Sequence, residues 1–309
     1  MKIAFVFPGQ GSQHIGMGKE LWENFDEAKA VYKEASDALG YDIKELSFNG
    51  PQEELNKTFR TQPCILTAST AAFRVISSNG IKPYVVAGHS LGEYSAIVAA
   101  GVLPFNKAVE MTEKRGTYMQ ETVPAGEGLM AAILGLNRYK VDDICLSVES
   151  GYVVSANYNS PVQVVIAGEK QAVEDAMKLA KDAGAKRVIT LAVSAPSHCT
   201  LMLEASNRLA ELLKTIDFKD PEMPVVNNAD AMILTNAEKI KTSLIKQLNS
   251  PLLWEDSIRR IVANDVNTFV EVGPGKVLSG LIKRIEPDAK VFNVEDVESL
   301  NKTLEALSH

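Results

Sequence analysis

Tyr84 to Gly101 reads YVVAGHSLGEYSAIVAAG, and no other stretch constrains the chain as tightly. Tyr84–Ala87 predicts a short buried strand. Gly88-His89-Ser90-Leu91-Gly92 is a G-x-S-x-G motif. Leu91–Ala100 is small and apolar and predicts a helix, with Gly101 as its stop. A G-x-S-x-G between strand and helix is the setting of a nucleophile elbow. The glycines let strand and helix approach across a sharp turn, and the turn lifts the serine Oγ off the sheet. The helix N-terminus then presents backbone N–H groups and partial positive charge to an oxyanion. The competing reading is a tight glycine-rich joint with an idle serine.

Bulk properties remove several other functions. The chain has 309 residues, enough for one large α/β domain or a large one carrying a smaller one. A formal net charge of -7 argues against binding nucleic acid through the bulk field. Cys64, Cys145 and Cys199 are far apart and form no C-x-x-C, so neither a metal site nor a disulfide framework is expected. The N-terminal MKIAFVFPGQ enters a strand directly and is too short in apolar residues for a signal peptide. No run approaches the ~18 apolar residues of a membrane span. The expected location is the cytoplasm.

Taken in order, the chain alternates strands and helices. Lys2–Phe7 is continuously apolar and predicts a strand buried on both faces of a parallel sheet. The following loop, Pro8–Gly18, fits neither phosphate template. Gly18-Lys19 is followed by Glu20, and His14 stands where the third glycine of G-x-G-x-x-G belongs. A loop at this end of a first strand is still where such sheets place ligands. Lys19–Leu39 predicts an amphipathic helix, Gln62–Ser78 a more buried one, and Phe105–Glu121 another.

Beyond Pro124-Ala125-Gly126 the pattern changes. Strands at Met130–Leu136, Tyr152–Asn157, Val162–Ala167 and Arg187–Ala192 alternate with helices at Asn137–Glu149 and Lys170–Ala183. The order β-α-β-β-α-β is that of a split, ferredoxin-like unit, here inserted into the larger domain. From Thr200 the larger domain resumes, with helices over Leu201–Leu213, Asn236–Leu248 and Pro251–Ala263 and strands over Pro224–Asn227 and Thr268–Val272. Domain limits follow: 1–125 and 196–309 for the large α/β unit, 126–195 for the insertion.

A serine that carries an acyl group needs a general base. The chain has four histidines. His309 is terminal, and His89 adjoins Ser90 on a turn that sends its side chain elsewhere. His14, in the first loop, stays open. His198 lies in SAPSHC, Ser194–Cys199, where the insertion returns to the main domain, and domain junctions favour ligand sites. His198 is the expected base, against the reading of a packed hinge histidine.

With these residues set out, the sequence resembles the malonyl-CoA:acyl-carrier-protein transacylases, the discrete acyltransferases of bacterial-type fatty acid synthesis. The resemblance covers nearly the whole chain. Its marks are FPGQGSQ at Phe7–Gln13, GHSLGEY at Gly88–Tyr94, EKRG with Arg115, NYNSPVQVVIAG at Asn157–Gly168 and SAPSHC at Ser194–Cys199. VVNNADA at Val225–Ala231, QLNSPLLW at Gln247–Trp254 and EVGPGKVL at Glu271–Leu278 complete the series. The fold it implies is α/β: a large α/β-hydrolase-like domain with a parallel sheet and an inserted ferredoxin-like subdomain.

The resemblance also implies roles. Ser90 would be the nucleophile and His198 the base. Gln10 and Leu91 would donate backbone N–H groups to the oxyanion. Arg115 would pair with the free malonyl carboxylate. Gln247 lies where a backbone carbonyl orients the histidine, so that no triad aspartate is needed. Arg115, Asn157 and Gln247 make up the expected substrate-binding set, and Asn228 matches a further polar position. Ser197 occupies a position that varies among acyltransferases of different acyl preference.

The implied reaction is ping-pong transfer of malonyl from coenzyme A to the phosphopantetheine thiol of acyl carrier protein. Its expected partners are malonyl-CoA and holo acyl carrier protein, with no nucleic acid, no membrane, no tightly bound cofactor and no metal, and with a monomer as the working state. Lys186-Arg187 and Lys283-Arg284 are candidate docking cations for an acidic carrier protein. A serine hydrolase is the rival enzyme and requires an acidic third member. A carrier-binding module with an inert serine is the non-enzymatic rival.

Overall fold

The computed structural model describes residues 2–124, 126–191 and 195–307. His309, Ser194 and the end of the strand expected to reach Ala192 lie outside these, as does residue 125 at the expected domain limit.

The chain opens with β1 (Ile3–Phe7), α1 (Lys19–Asn24), α2 (Asp26–Leu39), α3 (Ile43–Asn49), α4 (Gln52–Leu55) and α5 (Thr58–Ser78). β2 (Val85–Gly88), α6 (Gly92–Ala99) and α7 (Phe105–Thr122) follow. Next come β3 (Gly128–Leu134), α8 (Arg138–Leu146), β4 (Val153–Ser160), β5 (Gln163–Glu169), α9 (Lys170–Asp182) and β6 (Arg187–Thr190). The remainder is α10 (Leu203–Lys214), β7 (Val225–Val226), β8 (Ile233–Leu234), α11 (Ala237–Asn249), α12 (Trp254–Val262), β9 (Thr268–Val272), α13 (Val277–Ile285), β10 (Lys290–Val294) and α14 (Val297–Leu307).

Two sheets organise these elements. A six-stranded sheet runs β10-β9-β1-β2-β7-β8 and is parallel except for the terminal β7–β8 pair. A four-stranded antiparallel sheet runs β4-β5-β3-β6, with α8 and α9 packed against it. The fold is therefore mixed α/β in two subdomains, and the β-α-β-β-α-β order of the middle third is present.

β1 is buried on both sides, as its unbroken apolar run predicts. Phe5 and Phe7 meet Phe73 of α5 edge-on at 6.3 and 6.2 Å. Ala4 and Val6 face the opposite core, with Trp254, Ile258 and Leu278. A strand locked between two layers is a rigid base for the loop that follows it.

Several elements differ from expectation. The single helix expected over Lys19–Leu39 is broken at Phe25, whose backbone is extended (φ -130°, ψ 128°). Asn24 turns its side chain onto the Glu20 carbonyl, and Asp26 begins the next helix. Asn and Asp compete with helical backbone bonds and settle at helix ends. α3 went unpredicted, although Asp42 caps it by accepting from the Glu45 N–H at 3.0 Å. α12 starts at Trp254 rather than Pro251, because Leu252 donates to the Ala156 carbonyl and its own carbonyl accepts from Tyr158. That exchange ties the two subdomains together.

Candidate active site

The elbow forms because two glycines are obligatory in it. A Cβ on Gly88 would sit 1.9 Å from the Gly92 carbonyl carbon and oxygen. A Cβ on Gly92 would sit 2.0 Å from the Phe7 carbonyl oxygen. Only hydrogen at these positions lets α6 close onto β1 and β2. Ser90, between them, is forced to a left-handed φ of 53°. Asn228 clamps the strained turn: its Oδ1 accepts from the Ser90 N–H at 2.7 Å, and its Nδ2 donates to the Gly88 carbonyl at 2.7 Å.

His198 reaches Ser90 from the far side of the chain. Its Nε2 lies 2.8 Å from Ser90 Oγ, and its Nδ1 lies 2.8 Å from the Gln247 carbonyl. A carbonyl can only accept, so Nδ1 carries the proton and Nε2 offers a lone pair to the hydroxyl. The structure thus brings His198 to the serine, and the rings of His89 and His14 bond elsewhere. His89 pairs with Asn159 Oδ1 at 2.8 Å, and His14 lies 3.3 Å from the Ser12 carbonyl. No carboxylate touches His198 among the described residues. Burial, reinforced by the Arg115 cation, pushes the His198 imidazole down to about 3. It is a neutral base at neutral pH.

Arg115 on α7 is only 1% exposed. Nη1 donates to Gln62 Oε1 at 2.8 Å and Nη2 to Gln247 Oε1 at 3.0 Å, with Ser90 Oγ at 3.5 Å. Its guanidinium also lies over the Tyr94 ring, 5.2 Å from the centroid. No carboxylate stands within salt-bridge distance among the described residues. Leaving a buried cation with neutral amide partners alone is costly and calls for an external anion.

Gln247 joins these parts. Its carbonyl holds His198, its Oε1 holds Arg115, and its Nε2 donates to the Ser90 carbonyl at 3.0 Å and to Glu93 Oε2 at 2.8 Å. It is fully buried and does not line the cavity in front of Ser90. Burial pushes the Glu93 carboxyl up to about 7, against the Gln247 and Asn228 hydrogen bonds.

That cavity has a volume of about 220 Å³ and opens between the two sheets. Gln10 and Ser12 line it from the loop after β1, Met130 and Asn157 from the antiparallel sheet, and Val277 and Leu281 from α13. Asn157 does not reach Ser90; its Oδ1 is buried without a partner. The backbone N–H groups of Gln10 and Leu91 have no acceptor among the described residues. Sequence reasoning passed over Gln62, Glu93 and Asn159. A lone carboxylate in the otherwise apolar GEYSAIVA helix was a visible signal for Glu93.

Residues 4–300 match the family model described as acyl transferase domain. The chain belongs to this family. The acyl transferase from Haemophilus influenzae named malonyl CoA-acyl carrier protein transacylase is 50% identical over 309 residues, covering 99% of each chain. The malonyl CoA-acyl carrier protein transacylase structure from Coxiella burnetii superposes with a TM-score of 0.98 at 44% identity, covering 100% of this chain and 98% of that one. A malonyl-transacylase solved in complex with a type II polyketide acyl-carrier protein gives a TM-score of 0.97 at 48% identity, covering 99% of this chain and 100% of that one. Among the described residues, no helix of this acyl transferase is long and apolar enough to cross a membrane.

Proposed function

We propose that the chain moves a malonyl group from coenzyme A to the phosphopantetheine thiol of an acyl carrier protein, through an ester on Ser90. The observation that carries this reading is Arg115: a buried guanidinium without a carboxylate partner, beside a serine hydrogen-bonded to a neutral histidine. A malonyl thioester brings both the electrophile and the missing carboxylate.

Ser90 Oγ attacks the thioester carbon while His198 Nε2 takes the hydroxyl proton. The Gln10 and Leu91 N–H groups stabilise the tetrahedral oxyanion. Coenzyme A leaves as the thiol, with the proton from His198. The carrier thiol then attacks the acyl-serine, and the proton returns through His198 to Ser90 Oγ. An imidazolium beside Arg115 is unfavourable, so a carboxylate paired with Arg115 eases its formation in the same step. Water competes with the second thiol. The cleft between the sheets and the near-complete burial of His198 favour the oriented thiol over bulk water. Asn157 lines this cleft and its Oδ1 has no partner, so it would hold an N–H of the incoming substrate once the side chain turns towards it.

The same reading takes residues 126–195 as the inserted subdomain, with 1–125 and 196–309 as the large one. It also takes the protein to work as a cytoplasmic monomer with no tightly bound cofactor.

Intact-protein mass spectrometry after mixing with malonyl-CoA tests the proposal. One malonyl adduct that persists until carrier protein is added, and that Ser90→Ala abolishes, is the expected result. Free malonate with unmodified protein would establish hydrolysis instead, and no reaction at all would leave an inert binding module.

A further inference from the structure

Glu93 is the one charged side chain of α6 and is 1% exposed. Its Oε2 accepts from Gln247 Nε2 at 2.8 Å and from the Asn228 backbone N–H at 3.0 Å. Its Oε1 is buried without a partner. A half-satisfied carboxylate in a core helix is costly. An apolar residue would fill the space more cheaply, so packing does not explain it.

Glu93 offers the shortest of three acceptors that fix which way the Gln247 amide faces. The amide can rotate by half a turn and exchange its oxygen with its nitrogen. Glu93 Oε2, the Ser90 carbonyl and Asn228 Oδ1 all accept, at 2.8, 3.0 and 3.3 Å from Gln247 Nε2. A proton taken up by the carboxyl would sit on the unpartnered Oε1, so Oε2 remains an acceptor either way. The nitrogen is therefore held towards Glu93, and Gln247 Oε1 is presented to Arg115 Nη2. Turned around, the amide would place a donor against the guanidinium and leave Gln62 as the one amide oxygen bonded to Arg115. Because a neutral amide stands between carboxylate and guanidinium, Arg115 is aimed without being neutralised.

Building on the transfer reaction above, we infer that Glu93 is a positioning residue for selection of the substrate carboxylate. Through the Gln247 amide it holds Arg115 oriented beside Ser90 and free to bind that group.

The test compares kcat/KM for malonyl-CoA and acetyl-CoA in wild type, Glu93→Ala and Glu93→Gln. Glu93→Ala should lower the malonyl value by a factor on the order of 10–100, the range for losing a hydrogen bond to a charged group, and change the acetyl value no more than about threefold. Glu93→Gln keeps an acceptor at the Oε2 position and should recover most of the loss. An equal fall for both thioesters, an unchanged malonyl value, or no recovery with glutamine overturns the inference. Should Glu93→Ala fail to fold, Glu93→Asp carries the test. It draws the carboxylate back from Gln247, so the same selective loss is expected and a parallel loss overturns. If wild type forms no malonyl-serine, the transfer reaction itself falls. If it does and the variants match it, only the role of Glu93 falls.

Discussion

Ser90 and His198 meet at 2.8 Å, and each holds a left-handed backbone, with φ of 53° and 61°. A non-glycine residue pays in strain for that region, typically of order 1–3 kcal/mol where the surroundings impose it. Here the surroundings are identifiable. Asn228 bonds the Ser90 N–H, and the Leu248 carbonyl accepts from the His198 N–H at 3.0 Å. The two reacting atoms are thus aimed by backbone, not by free rotation of side chains.

His198→Ala should therefore slow acylation of Ser90 by a factor on the order of 10²–10⁴, the usual range for a lost general base. His14→Ala should cost little, since the His14 ring bonds the Ser12 carbonyl rather than Ser90 and does not line the cavity. Rapid-quench acylation rates decide between them. A slower His14 variant would reassign the base.

The acid limb of the rate profile should lie well below pH 6. An ordinary histidine protonates near 6.5, and His198 is pushed down to about 3 by burial and by Arg115. The base stays neutral as pH falls from 7 to 5. For stability the sign is the same: below 6.5 the unfolded chain takes up a proton that folded His198 refuses, so acidification costs stability. Measuring malonyl-CoA kcat/KM between pH 5 and 8 checks the first statement. A half-maximal rate at pH 6.5 would show an ordinary, solvated imidazole.

Arg115→Ala should invert or nearly invert the preference between malonyl-CoA and acetyl-CoA. Removing one partner of a buried charge pair costs about 2–5 kcal/mol. At ~1.4 kcal/mol per decade, that is roughly 30- to several-thousand-fold in malonyl kcat/KM. Acetyl-CoA has no carboxylate to strand, and without the cation His198 becomes more basic, so its value should hold or rise. Arg115→Lys should recover part of the loss, because an ammonium cannot reproduce the planar fork that spans Gln62 and Gln247. A parallel fall for both thioesters would give Arg115 a purely structural role.

Charge reversal at Arg284 should raise KM for the carrier protein and leave the malonyl-CoA half-reaction unchanged. Arg284 Nη1 donates to Gln163 Oε1 at 2.9 Å, and Gln163 lines the cavity. Its neighbour Lys283 is a weaker candidate, since its Nζ is engaged by the Pro287 and Ala289 carbonyls. Separate assays of the two half-reactions distinguish docking from a general effect. Equal changes in both would remove Arg284 from the docking surface.

The elbow was legible in the sequence because its determinants are local. G-x-S-x-G after an apolar strand and before a small-residue helix leaves one way to turn, and the close contacts at Gly88 and Gly92 are the reason. The split β-α-β-β-α-β unit was legible for the same reason, since alternation and turn residues repeat within a few positions. Helix breaks such as Phe25 were not, because an asparagine side chain and a core contact outweighed the continuous amphipathic pattern.

The family resemblance named Ser90, His198, Arg115 and Gln247 together, but their arrangement came from the fold. His198 is 108 positions from Ser90, and Gln247 is 49 from His198. Their hydrogen bonds exist because two sheets and α11 bring distant backbone segments to one point. Glu93 and Gln62 show the same division. Glu93 is visible in the sequence as the one charged residue of an otherwise apolar helix, whereas Gln62 is one polar residue among many in α5, and the partners that give each a task lie on other elements. Local propensity and spacing can specify a turn, a strand or a nucleophile. Whether a buried cation is left without a carboxylate is decided by what every other element places around it, and only the tertiary structure contains that.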